Sequence, residues 1–203
     1  MAFYGAPLDQ PDHAVRACRT ALAMKHRLAN LAAQSEGSEV PPLGIGIGIN
    51  SGPMTVGNMG SNERFDYTII GDNVNLASRL EGINKEYGTN IVIGELTCEL
   101  IRESGFTVRK LDRVRVVGKN EPVTIYELLG IGEPDPDTRA FIDSFSAGVQ
   151  AYRRRDWEQA IVAFQELVQK NDEPSQIYLQ RCLECLAAPP PADWDGVYEV
   201  TTK

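Results

Sequence analysis

No apolar run in this sequence approaches the roughly 20 residues that a bilayer-crossing helix requires, so no membrane contact is expected of this chain. Positive charge is scarce as well. Twenty Lys and Arg stand against 28 Asp and Glu, for a formal net charge of -8. A nucleic-acid backbone or an anionic membrane surface would repel such a chain as a whole, which excludes a general nucleic-acid binder but leaves room for a local basic nucleotide site. Histidine is limited to His13 and His26, both on one predicted helix and far from other ligand types, so they are read as surface residues. The four cysteines, Cys18, Cys98, Cys182 and Cys185, lack the spacing of a secreted disulfide framework. Only Cys182 and Cys185 are close in sequence, and no second pair or nearby His completes a zinc set. Inside a helical pattern they read as small apolar core residues. The start, MAFYGAP, has neither the basic residues nor the apolar stretch of a signal peptide. It reads as the end of a strand running into a turn at Gly5 and Pro7, as if a domain were entered in mid-strand.

What is present suits an ordinary globular chain: 203 residues, 42% hydrophobic and 24% charged, enough for one medium domain and a smaller appendage. Apolar residues at Ala14, Val15, Cys18, Ala21, Leu22, Leu28 and Leu31 predict a helix from Asp12 to about Ala33. Leu43 to Asn50 alternates, with Ile45, Ile47 and Ile49 on one face and Gly44, Gly46 and Gly48 on the other, which predicts a strand. After Ser51-Gly52-Pro53 a short strand is expected at Met54 to Val56. A strand over Phe65–Ile70 then leads through Gly71 into a helix from about Asn73 to Tyr87, closed by Gly88. A strand at Ile91–Ile93, a helix at Glu95–Ser104 and a closing pair of strands at Val108–Val117 and Val123–Leu129 complete the first unit. Strands and helices alternate, so an α/β or α+β sandwich is expected, with helices packed on a sheet. Residues 131–137 are a linker by composition. Beyond them, a helix pair from Ala140 to Gln169 turns at Arg155-Asp156, and a third helix runs over Ser175–Leu186. Gly148, Tyr152, Ala160 and Phe164 resemble the tetratricopeptide pattern, in which small residues let two helices pack closely. So few repeats rarely stand alone, and the unit at 138–187 is expected to dock on something else. Pro189-Pro190-Pro191 ends the helices, and residues 188–203 are a tail with no reading.

The glycines of GIGIGIN do not form a phosphate loop, because they alternate with isoleucines and no helix follows them. Glycines on one strand face instead let another backbone or a ligand come close. The richest stretch is DYTIIGDNVNLASR, residues 66–79. A strand ends, Gly71 turns the chain, and a helix starts with Asp72 or Asn73 as its cap. Asn75 and Arg79 are four apart and share one helix face, while Leu76, Leu80 and Ile83 lie on another. An amide and a planar cation aimed at one point suit phosphoryl transfer, where charge shifts among phosphate oxygens. Taken alone, the same pair is better read as a solvated Asn–Arg pair on an exposed helix face.

IGINSGPMTVGNMG followed by RFDYTIIGDNVNLASRLEG resembles the class III adenylate and guanylate cyclase domain, as do the opening MAFYGAP and the closing LDRVRVVGKNEPVTIYEL. The resemblance covers residues 1–130, in order. It implies an α+β, ferredoxin-like cyclase sandwich, incomplete at its N-terminus, followed by a small all-α appendage. It also implies an adenylate cyclase that converts ATP to 3′,5′-cyclic AMP and pyrophosphate. Asn75 and Arg79 match the family's transition-state pair. Thr68 matches a purine-contacting position, where a hydroxyl can bond the adenine amino group; taken alone, it fits a plain β-branched strand residue equally well. Lys119 matches a phosphate-binding position, but the motif's first Lys is Val117 here. Asn50 replaces the commoner His of the glycine-flanked turn, with no evident chemical cost.

The family holds two Mg²⁺ or Mn²⁺ ions on two aspartates, both expected upstream of Met1, so no metal ligand is assigned within this chain and the fragment alone is expected to be inactive. A head-to-tail homodimer with shared sites is implied, in the cytoplasm, with an upstream sensor or membrane region usual for the family. The alternative is a non-catalytic dimerisation and partner-binding module derived from a cyclase, with the helical unit taking a protein partner. A guanylate cyclase is a further alternative.

Overall fold

The helix that opens the described structure, α1 (His13–Gln34), forms along the predicted apolar stripe and buries Ala14, Cys18 and Ala21. The computed structural model describes residues 1–34, 44–60, 65–116 and 121–199, with the backbone alone of Phe65. Next come β1 (Ile47–Ile49), β2 (Thr55–Gly60), β3 (Phe65–Ile70), α2 (Asp72–Tyr87), β4 (Ile91–Gly94), α3 (Glu95–Leu100), β5 (Phe106–Arg115) and β6 (Val123–Ile131). The helical region follows as α4 (Pro136–Arg153), α5 (Trp157–Val168) and α6 (Glu173–Ala187), and a two-residue strand β7 (Tyr198–Glu199) closes the chain.

Five strands form one mixed sheet in the order β1-β4-β6-β5-β7, and β2 and β3 form a separate antiparallel ribbon. β1 runs parallel to β4, β4 and β5 are antiparallel to β6, and β7 is parallel to β5. Both faces of the sheet are covered. Alternation along β4 sends Ile91 and Ile93 to one side and Val92 to the other. Ile91 and Ile93 pack with Leu128 of β6 against α1 and Ile101, while Val92, Leu111, Val114 and Ile125 pack against α2 and the helical region. β4 is accordingly buried at all four residues, as a central strand covered on both faces should be. The α+β sandwich is therefore the observed architecture.

Several elements differ from expectation. β1 is shorter than the alternating stretch: the strand holds only three residues, and positions 35–43 lie outside the described residues. β2 is longer than expected. Thr55–Gly60 contains two glycines and an asparagine, poor strand formers, and pairing with β3 carries it. α3 stops at Leu100 rather than Ser104, and Gly105 (φ 71°) turns the chain into β5. α4 starts at Pro136, inside the expected linker, because Asp135 caps it by accepting from the Asp137 and Thr138 amides. The tail had no reading, yet Tyr198 and Glu199 pair with Val114 and Arg115 on the sheet edge. His13 is half-buried rather than a surface residue, with Nδ1 3.1 Å from the Gln10 carbonyl, whereas His26 is exposed. Cys18 and Cys182 are fully buried, and Cys98 and Cys185 partly so.

The expected docking of the helices is visible in the packing. Phe145, Tyr152, Phe164, Leu167, Tyr178 and Cys182 share one apolar cluster with Leu80, Ile83, Tyr87 and Leu111. Gly148 and Ala160 let α4 and α5 approach, since a methyl group on Gly148 would stand 2.8 Å from the Phe164 ring.

Candidate active site

β3, Gly71 and α2 form one continuous strand–turn–helix unit that carries three of the four candidate residues. Gly71 occupies the N-cap of α2 at φ 142°, where a side chain would be strained, and no side chain caps the helix. Neither Asp72 nor Asn73 is therefore the cap. The Gly71 carbonyl instead accepts from the Val74 and Asn75 amides at 3.0 and 3.2 Å. Asp72 lies in the first turn, where its charge favours the helix N-terminus. Asn73 is used as a tether: its amide donates to the Pro53 carbonyl at 3.0 Å, and the Asn50 amide donates to the Asn73 carbonyl at 3.1 Å.

Asn50 thus joins the end of β1 to the first turn of α2. The sequence reading treated it as a bare replacement for His, and nothing in the linear pattern reveals its partner 23 residues away. The glycine face of β1 has an equally specific use. Gly48 faces the α2 backbone so closely that an added methyl would overlap the Ala77 carbonyl oxygen and the Glu81 amide nitrogen. The group that comes close is a second backbone, one of the two possibilities the alternating glycines left open. Buried Asn84 fixes the same helix by donating to the Ile47 carbonyl at 3.1 Å.

On this braced helix Asn75 is exposed and Arg79 half-exposed. One turn apart, their Cβ atoms are about 6 Å from each other. Among the described residues neither side chain makes a hydrogen bond or ion pair. An unpaired guanidinium and amide on one face are free to donate to an incoming anion. Thr68 is half-exposed on β3, in register with Gly57 and on the same strand face as Ile70. Its hydroxyl too makes no hydrogen bond among the described residues. The structure thus brings Thr68, Asn75 and Arg79 onto one unit. Lys119 lies outside the described residues. Among those residues no three His, Cys, Asp or Glu side chains could together hold a metal ion.

Residues 1–130 match the family model described as the adenylate and guanylate cyclase catalytic domain. The chain is 35% identical over 184 residues to the terminal-differentiation-specific adenylate cyclase of Dictyostelium discoideum, covering 87% of this chain and 8% of that protein. A match of that extent runs past residue 130 into the helical region. Adenylate cyclase 1 of Rhizobium meliloti is 36% identical over 130 residues, 64% of this chain and 19% of its own length. The chain thus spans less than a fifth of either relative. Among solved structures, the adenylyl cyclase CyaB from P. aeruginosa is similar with a TM-score of 0.57 at 35% identity, over 66% of this chain and 67% of that one. The guanylyl cyclase Cya2 is similar with a TM-score of 0.56 at 36% identity, over 66% of each chain. A match over residues 1–130, with the strand–turn–helix unit of Thr68, Asn75 and Arg79 inside it, means that this chain belongs to the adenylate and guanylate cyclase catalytic domain family.

Proposed function

We propose that residues 1–130 supply one half of a class III cyclase site that converts ATP to 3′,5′-cyclic AMP and pyrophosphate in the cytoplasm. The observation that carries the reading is the pair Asn75 and Arg79, one turn apart on α2 and without a partner among the described residues. As the ribose 3′-hydroxyl attacks the α-phosphorus and pyrophosphate leaves, negative charge grows on the α-phosphate oxygens. Donors already aimed there favour that state over the ground state. Thr68 would accept a hydrogen bond from the adenine amino group, and Lys119 would meet the phosphates. The relatives of this chain include both adenylate and guanylyl cyclases by name, so Thr68 is the residue on which the choice of ATP over GTP would rest. A second copy would complete the site as a homodimer, and the ions, Mg²⁺ or Mn²⁺, would be held by carboxylates outside the described residues. Region 138–187 would be a tetratricopeptide-like unit joined through residues 131–137. No helix among the described residues is long and apolar enough to cross a membrane.

The test is a chimera that joins the N-terminal part of the P. aeruginosa cyclase domain to Met1 of this chain. Cyclic AMP should form from ATP with Mg²⁺ or Mn²⁺, and Arg79→Ala or Asn75→Ala should lower kcat by about 10²–10³ with little change in KM. Full activity in Arg79→Ala would remove that residue from the mechanism. A dimeric chimera without activity would favour the dimerisation-module reading.

A further inference from the structure

Helix α2 is held at four places. Asn50 holds its first turn through the Asn73 carbonyl, the Gly48 backbone packs under Ala77 and Glu81 near its middle, and Asn84 one turn further on donates to the Ile47 carbonyl. The fourth attachment is at its C-terminal end, and it is made by the helical region. Tyr87, the last residue of α2, donates its hydroxyl proton to Asp112 Oδ2 of β5 at 2.7 Å. Arg181 of α6 donates to the same carboxylate oxygen at 2.7 Å and to the Tyr87 hydroxyl at 3.0 Å. All three residues are buried: Tyr87 is 0% exposed, Asp112 1% and Arg181 9%. The guanidinium is further enclosed by rings, 3.6 Å from the Tyr198 centroid and 5.2 Å from that of Tyr178.

This junction is itself fixed to the helices around it. Tyr178 donates to the Leu111 carbonyl at 3.0 Å, and Arg109 of β5 reaches Asp172, the N-cap of α6, at 2.9 Å and Glu127 of β6 at 2.6 Å. The tail closes it from outside. Arg155 donates to the Pro190, Pro191 and Ala192 carbonyls, Trp194 packs edge-on against Tyr152 and Trp157, and Tyr198 covers Arg181 as β7 joins the sheet. Arg181 is therefore locked to α6 and the tail while its donors engage α2 and β5.

We infer that Arg181 and Tyr87 are positioning residues: through them the helical region sets the tilt of α2 about its Gly48 contact, and so the placement of Asn75 and Arg79. A helix rises about 1.5 Å per residue, so Tyr87 lies about 12 Å from Arg79 along the axis, with the Gly48 contact beside Arg79. Because the helix is stiff and its backbone rests directly on β1, a shift at Tyr87 moves the first turn rather than being absorbed between the two. A ligand or partner of the helical region that displaces α6 would act on the site by this route. The catalytic half of this inference rests on the assignment of Asn75 and Arg79.

The experiment is hydrogen exchange on the 203-residue chain, comparing the wild type with Arg181→Met and with Tyr87→Phe, which removes only the hydroxyl. Ala21→Gly in α1, in the cluster on the opposite face of the sheet, serves as a purely structural comparison. In both junction variants the amides of residues 75–83 should exchange at least about tenfold faster, with those of β4 and β6 unchanged. In the chimera, Tyr87→Phe should lower kcat about tenfold at constant KM, whereas Ala21→Gly should leave both constants within twofold. Equal loss of protection in all elements, or none in α2, would overturn the inference, and if Arg181→Met does not fold, Tyr87→Phe decides alone. If Arg79→Ala keeps full activity while α2 still loosens in the junction variants, the site assignment fails and the mechanical link stands.

Discussion

Arg79 and Arg181 show how differently the two ends of one helix are built. At the front of α2, Arg79 is half-exposed beside exposed Asn75, with no partner among the described residues. At the back, Arg181 is buried and bonded to Asp112 and Tyr87. A buried cation needs acceptors to offset its desolvation, and Arg181 has them in Asp112 and Tyr87, although the neighbouring Arg153 Nη2, 3.9 Å from Asp112, is buried without a hydrogen bond. On the proposed reading, a cation meant for a ligand stays unmatched until the ligand arrives, and Arg79 is unmatched among the described residues. The same residue type thus reports structure or function according to whether the fold has already used its donors.

The largest effect should come from breaking the buried end. Asp112→Ala leaves Arg181 without its carboxylate, and truncating one member of a buried pair costs about 3–5 kcal/mol. Urea denaturation of the 203-residue chain should show that loss, and a change below 1 kcal/mol would mean that the back of the helix is not held by charge. Next is the contact between the two ends. Gly48→Ala places a methyl on the α2 backbone and should cost about 3 kcal/mol, whereas Gly57→Ala in β2, with open space around it, should be nearly neutral. Equal midpoints for the two variants would show that α2 does not bear on β1.

Alkaline pH should also act on the buried parts alone. Burial pushes the Cys18 and Cys182 thiols from 9.0 up to about 12. Burial first, and then the Asp112 charge, hold the Tyr87 and Tyr178 hydroxyls well above 10.0. The unfolded chain releases these protons at lower pH than the folded one, so it binds fewer protons in that range. Stability should be unaffected by these groups below about pH 9 and fall progressively as pH rises from 9 to 12, read as a declining thermal midpoint. A flat midpoint up to pH 11 would contradict the burial of these groups. The smallest effect on stability belongs to the front. Arg79→Ala should shift the urea midpoint by no more than the equivalent of about 0.5 kcal/mol, although the same change is expected to remove most of the activity. A large stability loss would mean that Arg79 already has a structural partner.

The strand–turn–helix unit was readable in advance because its cues are local. Gly71 and Gly88 punctuate α2, and the spacing of Asn75 and Arg79 follows from the helix period alone. Thr68 could be placed on β3 for the same reason. The boundaries that moved, those of β2, α3 and α4, are where pairing or a cap overrides weak propensity.

The sequence by itself determined which residues share a strand or a helix face, and through the family resemblance it pointed to the ones proposed here for the chemistry. It determined neither the cap of α2 nor the roles of Asn50, Tyr87, Asp112 and Arg181. Those roles depend on partners 23, 25, 69 and 94 residues apart. Local periodicity carries no information about such distant pairs, and only the packing of α6 and the tail on the sheet brings the buried cation to its carboxylate.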